Sequence, residues 1–65
     1  MERVFVKIMY DGLIYALQDK INKYLGKLAD SDAAYISVDV IKDGAGNTDG
    51  YLAIIKYISE KEVKE

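Results

Sequence analysis

The chain has 65 residues, 51% of them hydrophobic, with nine basic and eleven acidic side chains and a formal charge of −2. That is the length of one domain, and the apolar content is too high for a disordered segment. The absence of His and Cys removes disulfides, soft-metal sites and the most versatile catalytic side chains. The slightly acidic balance speaks against non-specific nucleic-acid binding, which needs a concentrated basic face.

Residues 3–10 read as a strand. Val4, Val6, Ile8 and Tyr10 alternate onto one face, β-branched and therefore expected in the core; Arg3, Phe5, Lys7 and Met9 take the other. Asp11-Gly12 is a turn, with Asp11 expected as the N-cap of a following helix. In that helix Ile14, Leu17, Ile21, Tyr24 and Leu28 recur at spacings of three and four, and Leu13 and Leu25 widen the stripe to a face broad enough to cover a sheet. Lys20, Lys23 and Lys27 also lie at helical spacing and read as a solvated helix face, with a local basic patch as the alternative. Gly26 lowers helix propensity by about 1 kcal/mol, so it marks a close contact or a fraying end. Asp30-Ser31-Asp32 closes the helix.

Residues 35–42 form the second strand, with Ile36, Val38 and Val40 on one side and Tyr35, Ser37, Asp39 and Ile41 on the other. A glycine-rich connection, Asp43 to Gly50, leads to the third strand, Tyr51 to Ile58. Lys56 on one side of that strand favours the side with Tyr51, Ala53, Ile55 and Tyr57 as core. Residues 59–65 are a charged, frayed tail outside a single domain of residues 1–58. The expected core is Val4, Val6, Ile8, Leu17, Ile21, Leu28, Ile36, Val38, Val40, Ala53 and Ile55.

This β-α-β-β order predicts an α+β fold. A three-stranded antiparallel sheet of order 1-3-2 carries one helix on one face. Phe5, Met9, Tyr15, Ile41 and Ile58 are left over from that core. A chain this short buries only roughly 60% of its unfolded surface and has no disulfide or metal to staple it. Oligomerisation through the other sheet face is therefore expected, with a dimer as the symmetric default.

The motifs for chemistry are thin. The glycine-rich connection runs from strand to strand and lacks the Lys-Ser/Thr pair of a nucleotide loop. Read as an EF-hand, it would place Ala45 and Lys56 where terminal ligands belong. A plain hairpin is expected, with at most an adventitious calcium contact at Asp43 and Asp49. Asp39 is the lone acid within a strand and no Ser stands near a base, so the chain is expected to be non-enzymatic and to need no cofactor. Six tyrosines remain as the main functional signal, since Tyr combines flat apolar area with a hydrogen-bonding tip. The expected ligand site is Tyr10, Tyr35, Tyr51 and Tyr57 with Arg3, Lys7 or Lys42 supplying charge. It would lie between subunits, because one small chain has no room for an internal cavity.

Two families share this pattern. Val6-Lys7-Ile8, the helix Leu17-Gln-Asp-Lys-Ile-Asn-Lys-Tyr-Leu25, Ile36-Ser-Val-Asp-Val40 and Tyr51-Leu-Ala-Ile-Ile-Lys-Tyr57 resemble a short sporulation-associated family of spore-forming bacteria, with similar sequences expected in bacteriophage. The element order is also similar to that of dodecins, flavin-storing proteins of like length. Their second-strand tryptophan, which stacks on flavin, has no counterpart here, where Val38-Asp39-Val40 stands, so no site residue carries over. The resulting expectation is a homo-oligomeric binding protein that sequesters a nucleotide-like or other planar anionic molecule, with no nucleic acid or membrane as partner. The alternative is a sporulation-associated structural or regulatory protein acting through a protein partner. No stretch approaches the roughly 18 apolar residues of a membrane span, and residues 1–7 lack the regions of a signal peptide, so a cytoplasmic location is expected.

Overall fold

Strand β1 (Arg3–Asp11), helix α1 (Ile14–Asp30), strand β2 (Ala34–Asp43) and strand β3 (Gly50–Ser59) follow one another in the predicted order. The computed structural model describes residues 1–43 and 50–64, Asp43 by its backbone alone. The expectations for the glycine-rich connection, including the calcium contact at Asp43 and Asp49, lie outside the described residues. Both outer strands pair antiparallel with β3, giving the sheet order β1-β3-β2. The helix between β1 and β2 lets those two strands run the same way, and β3 returns between them.

The two ends of α1 are built differently. Asp11 does not cap the helix: Leu13 occupies the N-cap position and no side chain bonds there. Instead Asp11 Oδ1 accepts from the Leu13 N–H (3.0 Å), fixing the turn before the helix. At the other end Asp32 adopts a left-handed conformation (φ 57°). The N–H of Ala33 then donates to the Leu28 carbonyl (2.8 Å) and that of Asp32 to Ala29 (3.3 Å), the paired bonds of a Schellman motif. Ala33 packs against the core beside this closure. Gly26 has no neighbour where a Cβ would stand, so it marks neither a close contact nor an end.

The sheet face under α1 is the one β3 dictates. Ala53, Ile55 and Tyr57 are buried on β3 as expected, together with Leu17, Tyr24 and Leu28 of the helix. Antiparallel pairing sets Phe5 opposite Tyr57, Lys7 opposite Ile55 and Met9 opposite Ala53, and directly opposed residues share a face. So β1 turns Phe5, Lys7 and Met9 toward the helix. The expectation that Val4, Val6 and Ile8 are core is overturned: all three are more than half exposed, on the uncovered face. Ile36 and Val40 also leave the core. Ile36 falls at a break in register between Tyr35 and Ser37, and Val40 lies on β2 beyond the helix's cover. Val38 and Ile21 pack at the core's margin.

The tail is not frayed at Val63, which is buried with the core. Tyr24 donates its hydroxyl to the Val63 carbonyl (2.6 Å), and the Val63 N–H donates to the Tyr57 hydroxyl (3.1 Å). Two core tyrosines thus satisfy their polar tips on one residue of backbone, as buried hydroxyls must.

Candidate binding surfaces

The seven residues expected to form a ligand site are spread over the sheet. Tyr57 is an interior residue, stacked on Phe5 (centroids 5.5 Å apart) and edge-on to Tyr24 (5.9 Å). Arg3 sits over the Phe5 ring and Lys7 over the Tyr24 ring, at 5.3 and 5.7 Å, so both cations extend this aromatic row. Tyr35 is exposed and opposes Tyr57 from β2. Tyr51 is half-buried at the opposite end of the sheet, between Asp11 and Lys42. Tyr10 is on the other face and lies across Gly50, where any Cβ would collide with its ring. At about 3.3 Å per strand residue, the Arg3 end and the Tyr10 end of β1 are separated by more than 20 Å. Within one chain these residues do not converge.

The uncovered face is largely apolar. Its cross-strand rows read Val4–Ile58–Ala34, Val6–Lys56–Ser37, Ile8–Ile54–Asp39 and Tyr10–Leu52–Ile41. Lys56, Ser37 and Asp39 form a polar island within it, with one charge of each sign on diagonal positions.

Helix α1 covers the middle of the other face and leaves a flank on each side. Toward β2 a groove of about 240 Å3 is lined mainly by Ile14, Leu17, Ile21 and Val40. Toward β1 lies a larger cleft of about 430 Å3, bounded by Lys7, Ile8, Met9 and Tyr10 of the strand and by Lys20, Lys23, Tyr24 and Lys27 of the helix. No carboxylate lines it among the described residues. Lys20 closes one end, bonding the Tyr10 carbonyl (3.2 Å) and Asp11 Oδ2 (3.0 Å). The Leu13 N–H and then Lys20 hold the Asp11 carboxyl below its ordinary pKa, since both favour its charged form.

Lys20, Lys23 and Lys27 are exposed, as a solvated helix face requires, and their spacing, with Tyr24 among them, also sets them along this cleft. No group of three or more Asp, Glu, His or Cys able to hold a metal occurs among the described residues. No helix among them is long and apolar enough to cross a membrane. Compared with models of protein families, with curated proteins and with solved structures, the chain finds no match.

Proposed function

We propose that the chain is a non-enzymatic binding protein that assembles with copies of itself through the uncovered sheet face and sequesters a small planar anion at the boundary between copies. The observation that carries this reading is the apolar continuity of that face, with Val4, Val6 and Ile8 beside Ile58, Ile54 and Leu52. Patches of this kind on a small domain mark interaction surfaces. Lys56 and Asp39 favour a second copy over an unrelated partner, because a two-fold arrangement sets opposite charges against each other.

Tyr10, on the rim of that face, offers a ring for stacking at the boundary, whereas Tyr35 and Lys42 belong to the helix side of β2. Native mass spectrometry at micromolar concentration, paired with a thermal-shift screen against nucleotides, cyclic nucleotides and flavins, tests both halves. A defined oligomer whose melting temperature rises with one of these compounds is the expected result. A monomer at all concentrations removes the assembly, and no shift at millimolar ligand removes the planar anion.

A further inference from the structure

Four consecutive residues of β1, Lys7 to Tyr10, line the basic cleft. Successive strand side chains point to opposite faces, so no single face can present all four. What the cleft meets is the edge of the strand. β1 is an outer strand of the sheet, and among the described residues it pairs with β3 alone. The backbone groups of Val6 and Ile8 on its other side therefore have no strand beside them. Lys20 shows that this edge seeks partners, since its ammonium takes up the Tyr10 carbonyl. Two residues back along the ladder, Ile8 and then Val6 turn their backbone groups the same way.

Across the cleft the helix supplies Lys20, Lys23 and Lys27. With Lys7 these are four of the chain's nine basic side chains, gathered on a molecule of net negative charge.

We infer that this cleft is a docking groove for an extended acidic peptide, which adds to the sheet as a fourth strand beside β1. The proposal does not depend on the small-ligand reading or on assembly through the open face, because the groove lies at the strand edge on the helix side. Backbone pairing with Val6 and Ile8 would hold the peptide, and every second side chain of an added strand would point toward the helix. Glu or Asp at those alternate positions would meet Lys23 and Lys27, whose ammonium groups lie on flexible, exposed stems. A compact anion would use the lysines alone and leave the strand edge unpaired, which is why a peptide fits the cleft better.

The test is fluorescence anisotropy at low salt with a labelled octapeptide of alternating Glu and Val. Its comparators are the same peptide N-methylated at alternate residues, inorganic tripolyphosphate and a single-stranded oligonucleotide. The expected result is saturable binding that N-methylation weakens at least roughly tenfold, through loss of the pairing donors. The exposed double substitution Lys23→Gln and Lys27→Gln should weaken it roughly three- to tenfold. Amide exchange at Val6 and Ile8 should slow in the complex. No binding overturns the proposal. So does equal binding of the N-methylated peptide, or stronger binding of tripolyphosphate or the oligonucleotide, either of which reduces the cleft to a general anion trap.

Discussion

The two faces of the sheet are both apolar, yet only one is covered. The covered face holds Phe5, Met9, Ala53, Ile55 and Tyr57 under α1; the open face holds Val4, Val6, Ile8, Leu52, Ile54 and Ile58. By side-chain type the open face of β1 is the better core, being β-branched and free of charge, whereas the covered face includes Arg3 and Lys7. The cations are tolerated because β1 is an edge strand. Their charged ends lie over aromatic rings, Arg3 over Phe5 and Lys7 over Tyr24. Position in the sheet, more than the hydrophobicity of a single strand, decides which face is buried.

Substitutions on the two faces should therefore have different consequences. Ile55→Ala, on the covered side of the central strand, should cost about 2–5 kcal/mol and leave little folded protein in a urea titration. Val6→Glu on the open side should leave the fold intact, since the new carboxylate faces Lys56 across the strand pair, while sedimentation should show loss of the proposed self-association. If Val6→Glu unfolds the chain as Ile55→Ala does, the open face belongs to the core after all. Tyr24→Phe removes one bond at the covered face and should cost about 1–3 kcal/mol, because the buried Val63 carbonyl loses its donor; faster amide exchange at Val63 would report it.

Away from both faces, Gly26→Ala on the exposed helix surface should raise stability by about 0.5–1 kcal/mol, read from the shift in urea midpoint. The smallest effect concerns acid. Asp11 has a depressed pKa in the folded state, so its contribution is present above the ordinary carboxylate value and is lost as pH falls through the folded one. Asp11→Asn should lower stability slightly at pH 7 and flatten the acid limb, so that its curve meets the wild type's once Asp11 is protonated.

Much of this architecture is legible in the sequence. The element order, the helix stripe and the buried side of β3 follow from periodicity, with Lys56 orienting the last, and the 1-3-2 pairing follows from the connections. β1 misleads because both its sides are apolar enough, and only the register with Tyr57 and Ala53 selects Phe5 and Met9. Val63 misleads because one apolar residue among Glu60, Lys61, Glu62 and Lys64 has no period to detect; its place depends on two tyrosine hydroxyls needing partners. For the surfaces, tyrosine content drew attention to residues the fold keeps apart, while the lysine spacing on α1 carried the geometry of the cleft.

The central strand of the sheet follows both of its partners in sequence, and this sets the order in which they can pair. Arg3 finds its partner in Ser59 and Ala34 finds its partner in Ile58, so neither outer strand can form a ladder until β3 has been made. At translation speeds of about 5–20 residues per second, β1 waits for seconds with both edges bare. The helix is the one element that can form by itself in that interval, and it needs sheet packing to persist. Folding is therefore a late and nearly simultaneous event, in which β3 enters between two strands already present and the whole sheet is zipped at once.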